Sequence, residues 1–443
     1  MPKSERFGFT YDEAKNRFDD VSSHFINESG NVINTLSRNG FDSTMPKAPT
    51  DAEKEVTPQF IDSLDYRVDD KGKPWYTEDM PTKSEKSVKL YELISRDGDG
   101  NMSVDYNDAR WNDVLNGISL SDMAYLIGTG NFNSANIDGI GKPKTTDPDG
   151  PAGFTNFMGD PTVYGTCFYA SECVIAATWN TKLVHDMGVM VGLEGLLGNA
   201  KGDGAPYSGG WYAPAVNIHR SQFSGRNFEY YSEDSVLSGK MGANVVIGAK
   251  EKGVYTYVKH FVANDQETDR VSNGLIVWVN EQALREIYLK PFEIIVKDGK
   301  TSAIMSSFNR LGTTWAGGSY PLLTEVLREE WGFKGMVITD YNLYDYMPAD
   351  QMIRAGGDLN LTQNKQPSIK DASATQIALI RQATKNILYT VAGSNAMNGY
   401  GEGVVYRYAM PMWRVLLITF DCAAVVGFAV WGFFAIKKSL RRK

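Results

Sequence analysis

Histidine and cysteine are scarce in this chain of 443 residues, with four of the first and three of the second. No CxxC or HExxH spacing occurs. The patterns that build zinc sites are therefore missing, and a metal-enzyme reading has little to rest on. Cys167 and Cys173 stand close enough in sequence to pair in an oxidising compartment, and two buried free thiols is an equal reading. Cys422 lies in an apolar tail. No basic run precedes the C-terminus, and a net charge of −8 with a pI near 5.3 speaks against nucleic acid as a partner. The opening residues, MPKSERFGFTYDEAKNRF, hold no apolar stretch of the kind a signal peptide needs.

What is present is an ordinary globular composition, 42% hydrophobic and 22% charged, enough for a large core. Length alone suggests about three domains of ~150 residues, but one barrel absorbs ~250. Residues 1–110 are polar, punctuated by Gly40, Pro46, Pro49, Gly72, Pro74 and Pro81, and read as an irregular N-terminal linker region. Within it Asp97, Asp99, Asn101 and Asp105 fall at EF-hand ligand positions, with Ser103 and Asp108 at two more. Against calcium, Met102 stands where that loop needs Gly for its sharp turn, and Asp108 is shorter than the usual Glu. Calcium there and a plain acidic turn both stay open.

Over residues 111–400 apolar runs alternate with amphipathic helices. Helices are expected at 119–127, at 181–197 behind an Asn180 cap, around 237–249, and at 281–296, 320–331, 346–355 and 374–392. Strands are expected at 212–216, 254–258, 302–305 and 336–339, with an apolar run at 358–361. Strand–helix repeats of this length imply an α/β fold with a parallel sheet, and their count suits a (β/α)8 TIM-like barrel.

The tail is a separate unit, 412–443. Its apolar run, 415–436, would reach ~33 Å as a helix, against a hydrocarbon core of ~30 Å. Trp413 and Trp431 suit the two interfaces. Lys437, Lys438, Arg441, Arg442 and Lys443 follow, which puts the C-terminus in the cytoplasm and the barrel outside the cell membrane, on a single transmembrane helix. Asp421 lies within this span. Near its outer end it snorkels, and a partner helix is the sharper alternative.

Polar clusters follow the expected strands. They are His219-Arg220 with SGRNFEYYSED, then KHFVANDQETDR, then Met305 to Arg310, and last Asp340-Tyr341 at the end of WGFKGMVITD. In a barrel such strand ends converge on one mouth. Arg, Lys and His donate hydrogen bonds, Asp accepts them, and Tyr gives a flat apolar face, a mixture that suits a neutral polyhydroxylated ligand such as a sugar ring. Each residue has a plainer role open to it. Asp340 would cap the next helix, Arg226 would pair with Glu233 or Asp234, Lys259 would cover a strand end, and His260 would be a satisfied core histidine.

SGRNFEYYSEDSVLSG, KHFVANDQETDR, WGFKGMVITD and DPDGPAG, four motifs that fall in the family's order along residues 110–395, resemble the barrel domain of glycoside hydrolase family 3. The resemblance implies an exo-acting retaining β-glycosidase, most often a β-glucosidase, acting on a β-linked oligosaccharide or glycoside without a cofactor. It implies Asp340 as nucleophile. It implies Asp149, Arg226, Lys259 and His260 as ligands of the sugar hydroxyls, with Met305, Phe308 and Tyr341 in the pocket wall. Phe308 stands where many members have Tyr, Tyr341 where Trp is usual, and Gln222 and Ser235 replace common prolines.

Retaining hydrolysis needs a second carboxyl ~5–5.5 Å from the nucleophile. In the β-glucosidase branch that Glu comes from an α/β-sandwich domain, which is not seen after the barrel here. The His-based alternative within a KHFPGHG-type motif is absent too. Residues 16–50 resemble the linker that precedes the barrel in members with permuted domain order. The expectation is therefore an acid/base Glu supplied by another domain or a partner chain. The competing expectation is a carbohydrate-binding or scaffold barrel without turnover.

Overall fold

Four apolar runs lie side by side as a parallel sheet, Gly210–Trp211, Tyr255–Phe261, Ala303–Ser306 and Met336–Ile338, in that order. Every residue in them is buried. Burial on both faces is why these strands read as continuous apolar stretches rather than alternating ones. The computed structural model that shows them describes residues 17–18, 88–98, 102–155, 165–198, 209–268, 270, 274–370, 372–404, 410 and 412–441. The chain divides into two units, Met1–Asn398 and Gly399–Lys443.

In the first unit, single parallel bridges extend the sheet at both sides, Asp149 with Tyr212, Ala215 with Lys259, and Ile338 with Leu359. Beyond Leu359, Asn360 N–H donates to Ile127 O at 2.8 Å and Gly130 N–H to Asn360 O at 2.9 Å. On the other side Tyr212 N–H donates to Pro148 O, and Asp147 N–H to Phe132 O, each at 2.9 Å. The architecture is α/β, of the barrel type. The strand expected at 212–216 is regular only at Gly210–Trp211. Pro214 within it has no N–H to give a ladder, so the rest pairs through single bridges. The run at 358–361 likewise holds one bridge.

Helices follow their caps. Asn180 Oδ1 accepts from Leu183 N–H at 3.1 Å at the start of Thr181–Leu197. Asp234 Oδ1 accepts from Leu237 N–H at 2.7 Å ahead of Ser235–Lys250, and Ser373 Oγ accepts from Gln376 N–H at 3.2 Å ahead of Ala374–Ala392. The first two helices meet backbone to backbone. A Cβ at Gly188 would lie 2.3 Å from Val245 O, and one at Gly248 2.2 Å from His185 O, so no larger residue fits there. The helix expected over 281–296 is broken into α-helical Glu281–Ala283 and Lys290–Ile294, alternating with π-helical Leu284–Tyr288 and Ile295–Gly299. Pro291 supplies no donor to the ladder, which is one reason the winding changes. Pro321–Glu330 is π-helical as well.

The N-terminal region contributes more than a linker among its described residues. Phe18 is buried in the core. Arg17 pairs with Glu325 at 2.8 Å and with Glu330 at 3.2 Å, and Arg17 N–H donates to Glu281 at 2.7 Å. Ile94–Arg96 and Met102–Val104 pair antiparallel. Of the candidate calcium ligands, Asp99 and Asn101 lie outside the described residues. Asp105 Oδ1 accepts from Asn107 N–H at 2.9 Å, and the twelfth-position Asp108 is taken up by Arg110 at 2.6 Å. Cys167 and Cys173 are free thiols, the first exposed and the second half-buried, so neither a disulfide nor a pair of fully buried thiols is present.

The second unit is carried by one helix, Met412–Leu440. Among the described residues it is the one helix long and apolar enough to cross a membrane.

Candidate functional site

Three of the four strands bring a pocket residue to or near their C-terminal ends. The Met336–Ile338 strand runs into Asp340, whose N–H donates to Ser306 O at 3.0 Å. The Tyr255–Phe261 strand carries Lys259 and His260, and the Ala303–Ser306 strand carries Met305. Asp149 and Arg226 come from the loops beside Tyr212 and after Asn217. All eight residues expected from the sequence, Asp149, Arg226, Lys259, His260, Met305, Phe308, Asp340 and Tyr341, line one pocket of about 290 Å³.

Asp340 is buried, at 8% exposure. Tyr341 N–H donates to its Oδ1 at 2.7 Å, while Oδ2 has no hydrogen-bond partner. Burial raises the carboxyl above its usual range, and Arg226, Arg270, the Tyr341 N–H and Lys259 work against that rise. His260 Nε2 lies 3.7 Å from Asp340 Oδ2, beyond hydrogen-bond reach. That nitrogen faces the Arg226 guanidinium at 3.0 Å. Arginine only donates, so Nε2 accepts and the ring proton sits on Nδ1. Burial, with Arg226, Lys259 and Arg270 nearby, pushes the imidazole well below its usual pKa, so His260 is neutral.

The cations are held by carboxylates. Lys259 Nζ is 2.7 Å from Asp149 Oδ1 and 3.8 Å from Glu229 Oε2. Burial opposes its charge, and Asp149 and Glu229 outweigh that, so its pKa is raised and it stays protonated. Arg226 pairs with Glu229 and lies 3.5 Å from Glu267, not with Glu233 or Asp234 as the plainer reading had it. Glu229 and Glu267, the two glutamates nearest the site in sequence, are thus engaged by Arg226, Lys259 and Arg270 and do not line the pocket. Among the described residues that line it, the carboxylates are Asp149 and Asp340.

Six lining residues escaped the sequence reading: Phe132, Tyr212, Arg270, Leu343, Tyr344 and Leu361. Arg270 closes the KHFVANDQETDR run. Its guanidinium bonds Glu267 at 2.7 Å and lies 4.6 Å over the Phe308 ring, with Nη1 buried and unpartnered. Its place in that run was the available signal. Phe132 gave none. Among the described residues, no group of three or more His, Cys, Asp or Glu could hold a metal ion.

One deep wall of donors, one unspent carboxylate and a set of rings is an arrangement that can bind a sugar and attack it. Comparison with known proteins agrees in kind. The model of the Glycosyl hydrolase family 3 N terminal domain matches residues 155–387, more than half of the chain. A beta-glucosidase of Rhizobium radiobacter is 38% identical over 253 residues, 56% of this chain and 29% of that protein. Beta-glucosidase A of Butyrivibrio fibrisolvens is 36% identical over 256 residues, again 56% of this chain and 29% of the relative. The structure of beta-glucosidase 3B from Thermotoga neapolitana in complex with glycerol superposes with a TM-score of 0.56 at 31% identity, over 66% of this chain and 44% of that one. The chain therefore spans about 30% of the length of the curated relatives it matches.

Proposed function

The chain belongs to glycoside hydrolase family 3, and on that premise we propose that its pocket holds the terminal sugar of a β-glucoside while Asp340 attacks the anomeric carbon. The observation that carries this is the Asp340 carboxylate, buried at the pocket wall with Oδ2 unpartnered, opposite Lys259, Arg226 and His260. The reaction is a double displacement. Attack forms a glycosyl-enzyme, an acid protonates the departing oxygen, and water then releases the sugar. Asp149, Lys259, Arg226 and His260 orient the ring hydroxyls through charge-assisted hydrogen bonds. The acid/base carboxyl comes from another domain or chain, in our reading an α/β-sandwich that brings a Glu to ~5–5.5 Å from Asp340. Supporting this, Asp149 is spent on Lys259, and Glu229 and Glu267 on arginines. The same observation favours a second reading, a sugar-binding barrel without turnover.

We further read the strand array as a closed barrel, supported by the hydrogen bonds from Asn360 to the 127–130 segment. We read Met412–Leu440 as a single membrane span with the barrel outside the cell, supported by its length and by Lys437 and Lys438 at its end. Protease added to intact cells should then remove the barrel, and a fully protected barrel would refute the orientation. For the site, calorimetry should detect glucose binding. Replacing Asp149 or Lys259 by Ala should weaken it roughly ten-fold or more, each charge-assisted bond being worth ~1.5–3 kcal/mol. Unchanged affinity in both variants would place the sugar elsewhere.

A further inference from the structure

A third glutamate lies near the donors of the pocket wall, and the proposed reaction leaves it unused. Glu172 opens the short helix Glu172–Ala176 and is 1% exposed. Both of its carboxyl oxygens are buried without a hydrogen-bond partner. Glu229, also buried, differs in that it holds Arg226 and stands 3.8 Å from Lys259 Nζ. An ionised Glu172 would carry its desolvation cost with no bond to offset it, so the side chain is a neutral acid.

The groups that face Glu172 come from four places. Cys173 is on its own helix, Glu229 on the turn Asn227–Glu229, and Lys259 on the strand Tyr255–Phe261. The fourth is the buried Tyr231 hydroxyl, raised by its own burial and then by Glu172. Burial is the largest influence on Glu172 and raises its pKa well above the carboxylate range. Glu229 and Cys173 add to the rise, and its own N–H and Lys259 oppose it. Lys259 is therefore shared between two sides. Asp149 takes it at 2.7 Å on the pocket side, while Glu229 and Glu172 do not line the pocket.

We propose that Glu172 is a positioning residue of the sugar site: as a neutral acid it leaves Lys259 to Asp149 and the sugar, and once ionised it draws Lys259 away and loosens the sugar. The proposal rests on the sugar-binding reading of the pocket. A charge on Glu172 attracts the Lys259 ammonium and repels the Glu229 carboxylate, which also fixes Arg226. Two donors of the pocket wall then shift together.

The test is calorimetry of methyl 1-thio-β-D-glucopyranoside, a sulfur-linked glucoside that resists cleavage. It is run on the full chain and on Glu172→Gln from about pH 6 to about pH 9.5. Gln keeps the shape of the side chain and does not ionise. The unaltered chain should lose affinity as pH rises through the folded pKa of Glu172, and the Gln variant should not follow. The ratio of the two affinities should grow about ten-fold over the range, the worth of one charge-assisted hydrogen bond. Lys259 stays charged throughout, because Asp149 and Glu229 hold its pKa up against burial. Other groups titrate in both proteins and cancel in the ratio. A merely structural role would change the ratio by one factor at every pH. A ratio indifferent to pH therefore overturns the proposal and leaves the sugar reading standing. Binding by neither protein at any pH overturns both. If Glu172→Gln does not fold, infrared difference spectra of the unaltered chain decide. A protonated-carboxyl band should vanish with the same midpoint as the loss of binding, and the lack of such a band overturns the proposal.

Discussion

Asp340→Asn should stabilise the protein, and the gain should grow with pH. The substitution keeps the shape of the side chain. Asn Oδ1 can still accept from Tyr341 N–H, which stands 2.7 Å from Asp340 Oδ1. What it removes is an ionisable oxygen, Oδ2, that has no hydrogen-bond partner. Burial is the largest influence on this carboxyl and raises its pKa, with Arg226, Arg270, the Tyr341 N–H and Lys259 opposing. The folded pKa therefore lies above the unfolded one. Below the unfolded value the carboxyl is neutral in both states and costs nothing. As pH rises through the folded value, the native protein carries a charge that its fold disfavours, and the Asn variant does not. Removing such a functional charge commonly gains about 0.5–2 kcal/mol. At about 2.1 cal/mol/K per residue over roughly 300 residues, 1 kcal/mol moves the Tm by about 1.5–2 °C. Urea unfolding followed by tryptophan fluorescence, at about pH 4 and about pH 7.5, reads the difference directly. The two proteins should nearly coincide in acid and separate at neutral pH, with Asn the more stable. A less stable Asn variant at neutral pH, or a gap indifferent to pH, would refute the electrostatic account of the site.

Two further outcomes follow from the same charges. Lys259→Met leaves Asp149 without its ion pair, now 2.7 Å from Lys259 Nζ, and leaves the buried Glu229 with Arg226 alone, and should destabilise by about 3 kcal/mol in a thermal scan, whereas a solvated surface lysine would cost almost nothing. His260 should stay neutral in nitrogen-15 NMR well below pH 6.5, because burial and the Arg226, Lys259 and Arg270 charges depress it. Its unfolded form takes up a proton below about pH 6.5 and the folded form does not, so His260 costs stability in acid, and a folded-state titration near 6.5 would contradict the geometry.

The helix bounds at Thr181–Leu197 could be read in advance with Asn180 as its cap, and those at Ala374–Ala392 from the sequence pattern, with the Ser373 cap emerging only in the structure. Lys259, His260 and Asp340 could be read because each stands at the end of an apolar run, where a parallel fold gathers strand ends, while Asp149 was legible only through the family resemblance. What stayed hidden depends on geometry that no local pattern carries. Arg270 reaches the pocket by a loop that turns back eleven residues after Lys259. Tyr212 looks like any core strand residue, and its wall position follows from the bridge to Asp149. Phe132 needs a left-handed backbone that sequence patterns assign to glycine or asparagine. The π-helical turns at Leu284–Tyr288 and Pro321–Glu330 share the apolar spacing of α-helices closely enough to be taken for them.

The central claim is that Asp340 is the nucleophile and that the proton donor lies elsewhere. A 2-deoxy-2-fluoro-β-glucoside with a dinitrophenolate leaving group departs without protonation, and its fluorine slows release of the adduct. Incubated with this chain and followed by peptide mass spectrometry, it should label Asp340 and leave Asp340→Asn unlabelled. Unactivated glucosides should be turned over ~10²–10⁴-fold more slowly than when a partner supplies the acid. A label on another carboxylate, or none at all with the sugar bound, would contradict the assignment.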